Sequence, residues 1–370
     1  MSNNKSKKKR AEGFFSAAYR DLKSEIGDIG AGEIKSDIRR DFSDVKDFYI
    51  DEKQHEQLKE MGKLKRWVYT TGWLLKALFF KLTPNRRILF IISIVLIFAG
   101  RGNNNIQGID IIGLLVLIFI LMLELKDKLL AKNELQAGRF VQHALMPERT
   151  PKIAGWEIWL FTQPANDVGG DLVDYQKIDE QKYGAALGDV VGKGLGAALF
   201  MAKLQATLRT LVPDIASLTK LGEKLNEIFH RDSLPNSFAS LVFARFNIDS
   251  GIISILNAGH FPPIIIRNDE LEEMSKGGAA LGLKPDAKYI EQQVELNKND
   301  MLFIYSDGLT EARDEQGNFF GETRLLNLLP QLNKLSVVEA GEKLVSNIEN
   351  FIGKAKPADD LSIILLKRSI

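Results

Sequence analysis

A chain of 370 residues predicts about two domains, and 45% hydrophobic with 26% charged residues supplies an ordinary core. With 49 basic and 48 acidic residues the net charge is +1, which argues against a global nucleic-acid footprint. The absence of cysteine excludes disulfides, thiolate zinc sites and every cysteine-nucleophile mechanism.

Residues 1–10, ending Lys7-Lys8-Lys9-Arg10, read as a disordered basic tail, and no apolar run follows to make a signal peptide. Charged helical segments follow, so residues 1–66 form a helical, partly disordered N-terminal region. In residues 67–82, Trp67, Tyr69, Trp73, Phe79 and Phe80 mix with Lys76 and Lys81. That is the make-up of a helix lying in a membrane interface, or of an ordinary buried amphipathic helix.

Two apolar runs come next, Ile88 to Gly100 and Ile106 to Leu123. They have no polar face, a tight Gly102–Asn105 link joins them, and basic residues crowd the outer flanks. Lys63, Lys65, Arg66, Lys76, Lys81, Arg86 and Arg87 precede the pair, Lys126, Lys128 and Lys132 follow it, and the link carries only Arg101. Residues 67–125 are therefore expected to be membrane-associated, with spans near 86–101 and 106–125 and both ends cytoplasmic. The rival is a soluble helical hairpin, since each run is at the short end of the ~20 residues a span needs.

Residues 126–147 continue as a linker helix with Leu130, Ala137, Val141 and Ala144 near one stripe, ended by Pro147. Such a helix can pair with its twin in a homodimer and transmit a signal, or serve as a rigid connector packed on the following domain. From 148 to 370 the texture becomes β-rich. Strands are expected at 156–162, 183–187, 240–246, 252–256, 263–266, 301–305 and 362–366, and helices at 197–211, 218–229, 322–329 and 337–351. Asn247 to Gly251 marks a hairpin. Strands interspersed with helix pairs, rather than strict alternation, predict an α+β fold.

The chemistry gathers at aspartates near strand ends, in Gly169-Gly170-Asp171, Gly188-Asp189-Val190, Ser306-Asp307-Gly308 and Ala358-Asp359-Asp360-Leu361. Asp and Gly are common turn residues, so each alone has a plain structural reading. Together their carboxylates suit one or two hard divalent cations such as Mg²⁺ or Mn²⁺. The Gly188 to Gly196 segment is not a P-loop, because its glycine spacing is one residue short and Gly194 stands where Ser or Thr would hold Mg²⁺. It also lacks the dinucleotide-binding GxGxxG frame. His260 is a candidate general acid or a structural residue.

From about Glu134 onward the chain resembles the SpoIIE/RsbU-type serine phosphatase domain of the PP2C-like (PPM) superfamily. The matching pieces are Val141-Gln142-His143-Ala144-Leu145-Met146-Pro147, Pro164-Ala165 with Val168-Gly169-Gly170-Asp171, and Gly188-Asp189-Val190 with Gly192 and Gly194. Asn257-Ala258-Gly259-His260 with Pro262-Pro263, Tyr305 to Ala312, and Asp359-Asp360-Leu361-Ser362 follow in family order. The resemblance implies an α-β-β-α sandwich and a protein serine/threonine phosphatase using two Mn²⁺ or Mg²⁺ ions. It assigns Asp189 as the bridging carboxylate, Val190 as a carbonyl donor, Asp307 and Asp359 as further ligands, Asp171 as an outer aspartate reaching metal directly or through water, and Asp360, the second member of the Asp359-Asp360 pair, to the same metal set. Two such ions, about 3.5–4 Å apart, activate water for attack on a phosphoryl group without a protein nucleophile. Implied substrates are phosphorylated regulators such as anti-sigma-factor antagonists; the rival is a catalytically silent scaffold that binds a signalling partner. Lys193 stands where relatives often have His and is not expected to be essential.

Overall fold

The computed structural model describes residues 52–59, 61–102, 108–232, 237–268 and 270–370. The expected basic tail, the helical reading of residues 11–51 and most of the Gly102–Asn105 link lie outside them. The chain divides into two compact units, Met1–Asp127 and Lys128–Ile370.

In the first unit the described helices are α1 (Glu52–Lys59), α2 (Lys63–Lys81), α3 (Pro84–Gly102) and the beginning of α4 (Ile109–Leu145). Pro84 opens α3 at a position where its missing N–H costs nothing. Helices α3 and α4 approach closely at Gly113, where a Cβ would press on the Ser93 carbonyl. Arg86 clamps the same pair, reaching Glu124 and Asp127 at 2.6 Å each.

The expected two-span hairpin requires correction. Among the described residues no helix is long and apolar enough to cross a membrane. Arg86, Arg87 and Arg101 bracket residues 88–100 in α3, and Asp110 and Glu124 bracket residues 111–123 in α4, so each uncharged stretch falls short of the ~20 residues needed. Many apolar side chains nevertheless face outward, among them Ile91, Ile92, Val95, Phe98, Leu115, Phe119 and Met122.

The second unit is a four-layer α-β-β-α sandwich. One sheet has strand order β1-β10-β9-β6-β7, built from β1 (Trp156–Gln163), β6 (Ile264–Arg267), β7 (Glu270–Glu273), β9 (Met301–Tyr305) and β10 (Leu361–Arg368). The other runs β2-β3-β4-β5-β8, from β2 (Leu172–Lys177), β3 (Lys182–Val190), β4 (Ala239–Asn247), β5 (Ile252–Ala258) and β8 (Glu291–Glu295). All ladders between these strands are antiparallel.

The two-residue period of a strand explains the layering. On β10, Ile364 and Leu366 join the core between the sheets, while Ile363 and Leu365 face an outer helical layer. On β3, Ala185 and Leu187 point inward, and Ala186 and Val190 meet the other helices. Helices α5 (Leu195–Leu211) and α6 (Leu218–Asp232) cover the second sheet through Leu204, Leu208, Leu221, Leu225 and Phe229. The first sheet is covered by the one-turn α7 (Asp307–Thr310), by α8 (Glu322–Leu328) and by α9 (Val337–Ile352). Each buried Leu, Ile or Phe contributes about 1.5–3 kcal/mol relative to exposure. A capping box between Ser336 and Glu339 fixes the start of α9.

The last part of α4 belongs to this unit. Gln142 is buried, Leu135, Gly138 and Leu145 are partly buried, and the stripe of Leu130, Ala137, Val141 and Ala144 is exposed. The connector therefore packs on the domain by a polar-centred face and leaves its apolar stripe open.

A carboxylate cluster at one end of the sandwich

Four strand ends deliver the acids. Asp189 is the penultimate residue of β3, opposite Ser240, and Asp171 immediately precedes β2, whose Leu172 pairs with Gly188. Both belong to the second sheet. From the first sheet, Asp307 follows β9 and opens α7, and Asp359 and Asp360 precede β10.

Ser306 joins the two halves of that first-sheet set. Its N–H donates to the Ser362 carbonyl, its hydroxyl donates to the Asp360 carbonyl at 3.1 Å, and it accepts from the Ser362 N–H at 3.0 Å. The approach is so close that a Cβ on Gly308 would collide with the Asp360 carbonyl. A side chain at Gly169 would likewise strike the Asp360 carboxylate. These glycines stand beside the acids because two backbones must nearly touch there.

The acids differ in what they do locally. Asp360 is buried and accepts from three backbone N–H groups, those of Ala165 at 2.8 Å, Gly170 at 2.6 Å and Asp171 at 3.3 Å. It organises the loop that carries Asp171. Asp359 is partly exposed and pairs with Lys193, whose ammonium lies 2.9 Å from its Oδ2 and donates to the Ala358 carbonyl at 2.8 Å. Val190's carbonyl lies beside Gly170, where an added Cβ would come within 3.2 Å of it.

Burial, and then the neighbouring Asp189 charge, hold the Asp171 carboxyl well above its usual range. Asp189 is pushed up to about 6 by burial and by the charges of Asp307 and Asp359. Asp307 is also raised, first by burial and then by Asp359. These acids thus act on one another across the end of the sandwich. Asp171 Oδ2 is buried with no hydrogen-bond partner. Among the described residues no group of three or more His, Asp or Glu side chains closes into a ready metal cage. The donor chemistry still fits a hard divalent cation: oxygen ligands only, one orphaned buried oxygen, and negative charge with which, among the described residues, Lys193 alone forms an ion pair.

His260 is not free to transfer protons. Its Nε2 donates to the Tyr305 carbonyl at 3.0 Å, which leaves Nδ1 to accept from the Ser240 hydroxyl at 2.7 Å. Burial lowers its pKa to about 4, so the ring is neutral at ordinary pH. The Asn257 side chain holds the turn, accepting from the His260 N–H at 2.9 Å and donating to the His260 carbonyl at 3.1 Å. His260 is a strut between β4 and β9, the structural alternative.

Sequence reasoning gave no role to Gln142, Ser306 or Lys193. Gln142 lies in a helical segment and grips the Gly169 backbone. The available signals were a glutamine on the packed face of a helix, and polar residues directly beside the acid motifs.

The description "Stage II sporulation protein E (SpoIIE)" belongs to the family profile that matches residues 179–369, more than half of the chain. Protein IcfG of a Synechocystis strain is 27% identical over 311 residues, covering 73% of this chain and 48% of that protein. The chain thus spans about half the length of that relative. Phosphoserine phosphatase RsbU of Bacillus subtilis is 26% identical over 244 residues, covering 65% of this chain and 71% of RsbU. Among solved structures, the SiaA PP2C domain of Pseudomonas aeruginosa superposes with a TM-score of 0.57 at 19% identity, covering 66% of this chain and 99% of that domain. That likeness is one of fold.

Proposed function

Because this chain belongs to the SpoIIE family of PP2C-like serine phosphatases, we propose that it hydrolyses phosphoserine or phosphothreonine on a regulatory protein with the help of Mn²⁺ or Mg²⁺. The observation that carries this reading is the meeting of Asp171 and Asp189 from one sheet with Asp307 and Asp359 from the other. These four carboxylates, with the Val190 carbonyl, would hold two ions, and Asp360 would hold the loop beneath them. When bound, the ions supply Lewis acidity at the phosphoryl oxygens and an activated water. The chain itself presents the acids in fixed positions, keeps His260 neutral as a strut, and lines the approach with a cavity. The leaving oxygen must therefore take its proton from a group other than His260.

Substrates of the anti-sigma-factor-antagonist type follow from the family resemblance. The exposed stripe of Leu130, Ala137, Val141 and Ala144 supports a homodimer through the linker helix. We also propose attachment at a membrane surface through the outward apolar residues of α3 and α4, with the catalytic unit on the cytoplasmic side. Co-sedimentation with anionic phospholipid vesicles tests this, and a chain that stays in the supernatant refutes it.

The enzymatic test is phosphate release from a phosphoserine peptide by the full chain with Mn²⁺, with EDTA, and with Asp307→Asn. The expected result is turnover that needs Mn²⁺ and is lost in the variant. Mn²⁺ binding without turnover of any phosphopeptide would favour the silent scaffold.

A further inference from the structure

A cavity of about 540 Å³ adjoins the acids, within the ~300–1,000 Å³ range of ligand pockets. Asp189 and Asp307 line it, together with apolar side chains that include Val191, Phe238 and Phe261. Phe261 is 44% exposed yet held flat against Tyr305, with ring centroids 5.5 Å apart and planes 5° from parallel. Such a fixed, half-open ring is a platform for an apolar side chain of a ligand.

Lys276 is the single lysine or arginine in the cavity wall. Its side chain is exposed, and among the described residues it makes no ion pair or hydrogen bond. Its backbone is nevertheless held on both sides. The Ser275 carbonyl accepts from Gln292 at 3.0 Å, and the Gly278 N–H donates to the Asn257 carbonyl at 2.9 Å. At Gly277 a Cβ would collide with that same carbonyl. A lysine rooted so firmly, with its ammonium unengaged, differs from Lys193, whose charge is already committed to Asp359.

We propose that Lys276 sets substrate specificity by pairing with an acidic side chain near the phosphoserine of the protein substrate, while Phe261 and Val191 receive an apolar neighbour. This rests on the serine-phosphatase reading above. The phosphoryl group belongs at the acids once cations neutralise them, so the Lys276 charge is left for a carboxylate farther along the peptide. Charge complementarity of this kind selects partners and speeds their encounter.

The test uses the full chain with Mn²⁺ and three phosphoserine peptides that differ only in flanking Glu, Gln or Lys residues. The wild type is expected to favour the Glu peptide over the Gln peptide by about three- to five-fold in kcat/KM, the size of one exposed ion pair, mainly through KM. Lys276→Arg should keep that ratio, Lys276→Ala erase it, and Lys276→Glu turn it toward the Lys peptide. Because the readout is a ratio, a general loss from misfolding cancels. Fluorescence anisotropy of a labelled Glu peptide should show the same order of affinities and weaken with added salt. A Glu-to-Gln preference kept unchanged in Lys276→Ala, whatever the fall in overall rate, overturns the proposal. Turnover of all three at one rate by the wild type overturns it too, leaving the phosphatase reading intact. No hydrolysis of any phosphopeptide removes the phosphatase reading and this proposal with it.

Discussion

Gln142 grips Gly169 with both ends of its amide, donating from Nε2 to the carbonyl at 2.8 Å and accepting at Oε1 from the N–H at 3.1 Å. The next residue, Gly170, donates to Asp360, and the one after is Asp171. The linker helix is therefore two residues away from an acid of the cluster.

Gln142→Ala should leave the Gly169 carbonyl and N–H buried without partners, a cost of roughly 1–3 kcal/mol per group. Some of that cost appears as lower stability in urea unfolding. The rest appears as a loosened Asp171 loop, with Mn²⁺ affinity and kcat each falling about tenfold or more. Unchanged Mn²⁺ titration and turnover in a folded variant would show that the helix merely decorates the domain.

Crowded acids make a second prediction. Asp189→Asn removes one charge from the cluster, so the metal-free chain should be as stable as the wild type or more so, by about 1 kcal/mol. In the wild type, saturating Mn²⁺ should raise Tm, since a ligand at a hundred times its Kd adds about 2.7 kcal/mol. The variant should lose most of that rise. A full Mn²⁺ response in Asp189→Asn, read by differential scanning calorimetry, contradicts the cluster as the cation site.

Stability should also depend on His260 and pH. Its folded pKa of about 4 lies below the ordinary 6.5, because burial penalises the charged ring. The unfolded chain therefore binds more protons between these values. The stability contribution is complete above pH 6.5 and is lost as pH falls toward 4. Over that window the loss is on the order of 3 kcal/mol. Asp189, with its raised pKa, works in the opposite direction over about pH 4 to 6. Urea unfolding of the wild type and of His260→Asn at pH 7.5 and 5 separates the two: the wild type should lose more stability than the variant.

The open stripe on the linker helix makes a fourth prediction. Val141 is 58% and Leu130 53% exposed, whereas Gly138 faces the domain, where an added Cβ would lie only 3.6 Å from Leu195. Val141→Asp should shift the chain toward monomer in sedimentation velocity with little change in unfolding. A monomeric wild type at tens of micromolar, or a dimer indifferent to the substitution, ends the idea.

What could be read in advance follows burial. The strands foreseen are the apolar ones, such as Met301–Tyr305 and the central β10. The three overlooked, β2, β7 and β8, all lie at sheet edges and read LVDYQK, ELEE and EQQVE. Charge on an edge strand blunts pairing with other chains, and it also hides the strand from a search for apolar alternation. Asp171, Asp189, Asp307 and Asp359 stood out in the sequence because aspartates beside glycine or a second aspartate near strand ends are unusual in combination. The Lys193–Asp359 pair and the Gln142 clamp were not, because each joins residues more than twenty positions apart by geometry that spacing does not encode. The membrane spans were overread from apolar runs whose bracketing charges, Arg101 and Asp110 among them, shorten them.

The split of the acids between two sheets has one further consequence. Asp171 and Asp189 ride on one sheet and Asp307 and Asp359 on the other, so the sandwich works as a pair of calipers whose jaws are the carboxylates. Their gap is set by the side chains stacked between the sheets, Leu187, Val242, Leu302 and Ile364 among them. Trimming one of these distant residues would reset the gap, and the cluster would register the change as altered cation affinity while the domain was still folded.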